Sequence, residues 1–192
     1  MEMEEKGVRT DDRRSFKKII LIVFITIAVA VVILLQGKDS FFTSYKPRVK
    51  VGLPAPNFTF PGLDGKKVSL TDFKGKAVFL NIWATWCPPC REEMPSMEKL
   101  YQELKGEDFE ILAVSIDASG ATVVAPFMKE YNLSFPALLD PEGTIQNLYG
   151  TTGVPESFII GKEGIIEKIV IGPMDWATSK VILFFRNLIQ KP

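Results

Sequence analysis

The sequence Trp86-Cys87-Pro88-Pro89-Cys90 follows closely on Ala77 to Trp83, an apolar run interrupted only by Asn81. No other junction in the chain constrains its fold as much. A continuous apolar run of this length is the pattern of a strand buried on both faces, which belongs inside an α/β sheet. Beyond the cysteines, Met94, Met97, Tyr101 and Leu104 recur at helical spacing, so a helix is expected from about Pro88 to Leu104. Pro95 falls inside it and should kink it. The two cysteines therefore stand where a buried strand hands over to a helix.

They are also the only two cysteines among 192 residues, and the chain has no histidine. Three chemistries use a C-x-x-C pair: half of a zinc or iron–sulfur site, covalent haem attachment, and dithiol/disulfide exchange. A closed zinc site needs about four Cys or His ligands, and none remains beyond Cys87 and Cys90. Haem attachment requires His directly after the second Cys, where this chain has Arg91. An inert structural disulfide is a weak alternative, because so short a loop removes little unfolded-chain entropy. Redox exchange is the chemistry left, with no metal or other cofactor expected.

Charge is balanced, 23 basic against 23 acidic residues, and gives no argument for nucleic acid. Its distribution is more informative. Ile19 to Leu35 is apolar except for Thr26, long enough as a helix to reach the lower limit for spanning a bilayer. A cleaved signal peptide usually has a shorter apolar region ending at a small-residue site; here Ala28-Val29-Ala30 lies inside the run. Arg13, Arg14, Lys17 and Lys18 crowd the N-terminal flank, which orients the N-terminus to the cytoplasm. Arg13-Arg14-Ser15-Phe16-Lys17-Lys18 also looks like a twin-arginine export signal, and ordinary positive-inside charge delivers the rest of the chain to the same side. The expected organisation is a cytoplasmic N-terminus over 1–18, a single-pass anchor over 19–36, a tether over 37–54 and one extracytoplasmic domain over 55–192. That compartment, periplasm or cell exterior, is oxidising. A C-x-x-C pair works there as a reductant only if something supplies electrons.

Within the domain, Phe58-Thr59-Phe60 and Val68-Ser69-Leu70 flank Pro61-Gly62-Leu63-Asp64-Gly65, a hairpin pattern. Ile111 to Ile116 is expected as a second buried strand, and Val124, Phe127, Met128 and Tyr131 as a helical stripe with Pro126 near its start. Phe158 to Ile160 and Ile165 to Ile171 flank Gly161-Lys162-Glu163-Gly164, a second hairpin. Val181, Phe184, Phe185 and Leu188 mark a closing helix, with Asp175 as its expected N-cap. This order gives an α/β domain with a mixed central sheet flanked by helices.

A helix N-terminus supplies free N–H groups and the positive end of the helix dipole, both of which favour a thiolate at Cys87. Pro88 in the first turn loses no useful hydrogen bond. Cys90, one turn on, is placed to attack a mixed disulfide formed at Cys87. Cys87 is thus expected as the solvent-facing nucleophile and Cys90 as the more buried resolving residue.

The stretch from Asn81 through Cys87-Pro88-Pro89-Cys90 to Pro95, together with Gly153-Val154-Pro155-Glu156-Ser157-Phe158-Ile159-Ile160, resembles the thioredoxin superfamily. More closely it is similar to the membrane-anchored TlpA/ResA/CcmG group of thiol–disulfide oxidoreductases, over roughly residues 51–190. That resemblance implies a thioredoxin-like fold with an N-terminal β-hairpin and an additional central strand-helix element. It implies a cis Val154–Pro155 bond beside the sulfurs, with the Val154 backbone pairing to an extended substrate segment. Glu93 matches an acidic position that the group places near its active site, where a carboxylate could shuttle protons or raise the cysteine pKa values; a solvated first-turn glutamate is the plainer alternative. Glu156 could bias partner choice or be a surface charge. Trp86 and Trp83 would shield the site, Trp83 equally as plain core. Asn81 stands where ordinary thioredoxins carry a buried aspartate, leaving Glu93 as the replacement acid.

The resemblance points to reduction of disulfides in exported proteins, apocytochrome haem-binding cysteines among them, with electrons delivered by a thiol reductant in the membrane. A thiol peroxidase is the nearest rival, but the P-x-x-x-T-x-x-C pattern of peroxiredoxins is not met, since Thr85 is only two residues before Cys87. A metal-carrier or assembly module is the rival from another class; copper carriers of the related fold use C-x-x-x-C plus His, and this chain has neither.

Overall fold

In the computed structural model, residues 9–36 and 49–191 are described. They fall in two compact units, divided at Lys46 and Pro47. The first contains helix α1, Arg9–Gln36, in which the described side chains from Ile20 to Val29 are exposed. Among the described residues no helix is long and apolar enough to cross a membrane. Side chains at 19, 30 and 33–36 fall outside the description, so the apolar run expected over 19–36 is covered only in part. Residues 1–8 of the expected cytoplasmic segment and 37–48 of the expected tether lie outside the described residues.

The second unit opens with a short antiparallel hairpin of β1, Thr59–Pro61, and β2, Lys67–Ser69, followed by a 3-10 turn at Leu70–Phe73. The main sheet is built from β3 (Ala77–Trp83), β4 (Phe109–Ser115), β5 (Ala137–Leu139), β6 (Glu156–Ile160) and β7 (Ile166–Ile171), in the order β5-β4-β3-β6-β7. Parallel pairing joins β3 to β4 and β4 to β5, and antiparallel pairing joins β3 to β6 and β6 to β7. The sheet is therefore mixed, with β3 at its centre. All seven residues of β3 are buried, Asn81 included, as expected of an apolar run covered on both faces.

Helices α2 (Pro88–Leu104), α3 (Ala121–Glu130), α4 (Thr144–Tyr149) and α5 (Ser179–Gln190) complete the unit. Alternation along β3 divides the core in two. Ala77, Phe79 and Trp83 join one cluster with Met94, Met97 and Leu100 of α2 and Phe185 and Leu188 of α5. Val78, Leu80 and Ile82 join the other with Phe58, Ile145 and Tyr149. The strand β5 forms one edge of the sheet and is followed by the short helix α4.

Several expectations move. Residues 50–55 are already part of this unit: Gly52 N donates to Ile166 O, Ile166 N to Leu53 O and Ala55 N to Gly164 O, and Val49 is buried. The domain thus begins before residue 55, because this segment completes hydrogen bonding beside the β6–β7 turn. Asp175 does not cap α5. The cap is Thr178, whose side chain accepts from Val181 N, while Asp175 Oδ1 accepts from Ala177 N in a local turn. Pro126 is the sixth residue of α3 rather than near its start.

Candidate active site

Cys87 is the N-cap of α2, in extended conformation at the end of the β3–α2 loop. Pro88 and Pro89 occupy the first two helical positions and have no N–H to offer. The remaining donors turn back to Cys87: Cys90 N donates to its Sγ at 3.3 Å and Arg91 N to its carbonyl at 3.2 Å. One N–H, not several, thus reaches the sulfur, because the prolines have removed the others. Cys87 and Cys90 are joined as a disulfide.

Neither sulfur-bearing residue is open to solvent: Cys87 is 3% exposed and Cys90 0%. Cys90 is the more buried of the two, but Cys87 is nearly covered rather than solvent-facing as expected. Val154 accounts for part of the cover, its carbonyl oxygen lying 3.4 Å from Cys87 Sγ. The Val154–Pro155 bond is cis, and Gly172 N donates to Pro155 O at 2.9 Å, tying this loop to the end of β7. Trp86 is 64% exposed beside the pair, whereas Trp83 is fully buried and tilts against Phe127 at 5.0 Å between centroids. Of the two tryptophans, Trp86 alone can meet a partner surface; Trp83 is core.

Glu93 is buried, not a solvated first-turn glutamate. Its Oε1 accepts from Asn81 Nδ2 at 2.9 Å. Its Oε2 accepts from Trp176 Nε1 at 2.9 Å and Met174 N at 3.2 Å. Burial pushes its pKa up from the ordinary glutamate value, and the donors Trp176, Asn81 and Met174 N hold it back. Asn81 Nδ2 also donates to Ser157 Oγ at 2.9 Å, so β3, α2, β6 and the loop before α5 meet at one carboxyl group. A buried acid thus stands beside Asn81, supplied by α2.

Glu156 is set apart from this group. In the β3–β6 pairing it faces Ile82, while Ser157 faces Asn81, so Glu156 and Glu93 lie on opposite faces of the sheet. Its pKa is also raised by burial, against a hydrogen bond from the Thr152 backbone.

Sequence reasoning missed a second anchor. Asp117 is buried just past β4, and its carboxylate accepts from Thr85 N at 2.9 Å, Thr85 Oγ1 at 2.6 Å and Ser115 Oγ at 2.7 Å. It fixes the loop that presents Trp86 and Cys87. An acid two residues beyond a serine at the end of an apolar run was the available signal. Trp176 was missed as well, although it is one of only three tryptophans and follows Gly172-Pro173.

A disulfide at a helix N-terminus, with a buried acid on the same helix and a cis-proline loop against the outer sulfur, defines a thiol–disulfide oxidoreductase of thioredoxin-like fold. Comparisons with known proteins agree. The AhpC/TSA family model matches residues 51–169, and the chain belongs to that family. It is 42% identical over 147 residues to the thiol-disulfide oxidoreductase ResA of Bacillus cereus, covering 73% of this chain and 84% of the relative. To ResA of Bacillus subtilis it is 39% identical over 145 residues, covering 76% and 79%. Among solved structures, StoA of Bacillus subtilis matches with 32% identity and a TM-score of 0.56 over 65% of this chain and 92% of the other. A thiol:disulfide interchange protein of the thioredoxin family from Chlorobium tepidum matches with 29% identity and a TM-score of 0.63, over 73% and 98%.

Proposed function

We propose that this enzyme works as a reductant of disulfides in exported proteins, apocytochrome haem-binding cysteines among them, from a domain held outside the cytoplasm by an anchor over 19–36. The apolar run Ile19 to Leu35 and the basic flank Arg13 to Lys18 support the anchor and its orientation. The observation that carries the chemistry is the Cys90 N–H aimed at Cys87 Sγ over 3.3 Å. That donor, at the positive end of the α2 dipole, stabilises charge on one sulfur.

In the reduced enzyme, Cys87 thiolate attacks one sulfur of the substrate disulfide. That S–S bond breaks, a mixed disulfide forms, and the departing substrate sulfur takes up a proton. Cys90 then loses its proton, with Glu93 on the same helix as the acceptor, and attacks Cys87 Sγ. The mixed disulfide breaks, the second substrate sulfur leaves and takes up the proton held on Glu93, two electrons have passed to the substrate, and the enzyme is left as the Cys87–Cys90 disulfide. A membrane-bound dithiol reductant restores it. Substrate lies as an extended segment against the Val154 backbone, whose carbonyl is 3.4 Å from Cys87 Sγ, with Trp86 as the exposed apolar contact; Glu156, buried on the other face of the sheet, does not reach it.

The test is capture in cells of the native organism carrying Cys90→Ser. Exported proteins should be recovered in mixed disulfides with Cys87, which a membrane-impermeant thiol reagent also reaches once the pair is reduced. Capture of cytoplasmic proteins only, or protection of Cys87 from that reagent until cells are lysed, would overturn the extracytoplasmic assignment.

A further inference from the structure

The two oxygens of Glu93 are not equivalent. Oε2 accepts from Trp176 Nε1 at 2.9 Å and Met174 N at 3.2 Å, both groups that can only donate. A proton on Oε2 would set donor against donor. Protonated Glu93 therefore carries its proton on Oε1, which faces Asn81 Nδ2 at 2.9 Å. That atom is a donor too, and it also serves Ser157 Oγ at 2.9 Å. Meanwhile Asn81 Oδ1 is buried and has no partner among the described residues, an uncommon state for a side-chain oxygen.

A half-turn of the Asn81 amide exchanges its two ends. Oδ1 then stands between Glu93 Oε1 and Ser157 Oγ, where it accepts from the carboxylic acid and from the serine hydroxyl, which can donate as readily as accept. We propose that Asn81 is a positioning residue for the dithiol chemistry: its amide turns with the protonation state of Glu93 and holds the exchangeable proton on Oε1, while Trp176 and the Met174 N–H keep Oε2 as a pure acceptor. This rests on the reading that Glu93 exchanges protons with the dithiol. One orientation leaves an unpaired oxygen and the other an unpaired NH2, so neither state is locked by its neighbours.

The other ionisable groups around this cluster are Glu92 and Lys99 on α2 and Asp175 in the loop before α5, joined by Cys90 only when the disulfide is reduced. Lys168 on β7 and Lys180 on α5 border Trp176 from its other side. On this face of the sheet β3 presents Ala77, Phe79, Asn81 and Trp83, and β6 presents Ser157 and Ile159, none of them ionisable.

The test is a pH titration by NMR of the full chain in detergent micelles with the disulfide intact, following the Glu93 side-chain carboxyl carbon and the Asn81 side-chain amide. The two signals should move with one midpoint. In Asn81→Leu both partners of Glu93 at Oε1 are lost, and the Glu93 midpoint should rise, because the hydrogen bond lost from the ionised form is the stronger of the two. In Glu93→Gln the amide of Gln donates from the Oε1 position, so the Asn81 signal should stay at its low-pH position throughout. An Asn81 amide that is unmoved across the Glu93 midpoint, or that sits at its high-pH position in Glu93→Gln, overturns the proposal, and neither result depends on the Leu variant folding. The proton role of Glu93 is decided separately: if the pH profile of Cys87 alkylation in reduced Glu93→Gln matches that of the unsubstituted protein, that role fails, whatever the amide does.

Discussion

The indole N–H of Trp176 donates to Oε2 of Glu93 over 2.9 Å, joining residues 83 positions apart in the chain. It fastens the loop after β7 to the second turn of α2, beneath the cysteines. The same ring packs on Phe79 of the central strand at 4.3 Å between centroids, so Trp176 combines a polar anchor with an apolar one.

Trp176→Phe keeps an aromatic ring near Phe79 and removes the donor. A hydrogen bond to a charged group contributes about 1.5–3 kcal/mol, and a loss of that size is expected in urea unfolding. Because the donor favours the ionised carboxylate, the loss should be larger above the Glu93 midpoint than below it. Equal losses at both ends of the pH range would mean that the indole matters only for packing.

Glu93, Glu110 and Glu156 all have pKa values raised by burial. A carboxyl group whose folded pKa exceeds its unfolded value binds its proton more tightly in the native state. Its stabilising contribution is complete below the unfolded value, near 4.5, and is lost as pH rises through the folded one. The oxidised protein should therefore lose stability as pH rises from the ordinary glutamate range towards neutrality. Glu93→Gln should flatten that slope, measured as the urea midpoint at a series of pH values, and a slope unchanged by the substitution would contradict the assignment.

Asp117 holds the loop before Cys87 through three accepted hydrogen bonds from Thr85 and Ser115. Asp117→Ala leaves those donors without an acceptor in a largely buried site. A stability loss of about 2–4 kcal/mol is expected, less than the sum of three separate bonds because the remaining groups relax together. Reduction of a model protein disulfide should slow as well, since Trp86 and Cys87 lose their fixed approach. Full activity together with full stability in this variant would remove Asp117 from the account.

Much of this was legible in the chain. The strand Ala77–Trp83 and the helix Pro88–Leu104 have the bounds that their apolar patterns predict, because continuous burial and helical periodicity are properties of adjacent residues. The cis Val154–Pro155 bond followed from resemblance alone; nothing in the local sequence requires it. What stayed hidden depends on distant partners. Glu93 could be matched to an acidic position, but its burial needed Trp176 and Asn81 to supply donors from other elements. Glu156 and Ser157 are neighbours in sequence, yet strand alternation sends them to opposite faces, and only the register says which face meets the acid. Similarly, Asp175 and Thr178 both offer plausible caps, and the closing helix takes Thr178 because the chain is still turning at Asp175.

The central claim is that Cys87 attacks and Cys90 resolves. Mass spectrometry of the two single variants, each reduced and mixed with a disulfide-bonded peptide, tests it most directly. Cys90→Ser should accumulate a covalent peptide adduct on Cys87, while Cys87→Ser, its remaining thiol fully buried, should react far more slowly. A faster adduct on Cys90 than on Cys87, or none on either, would contradict the account.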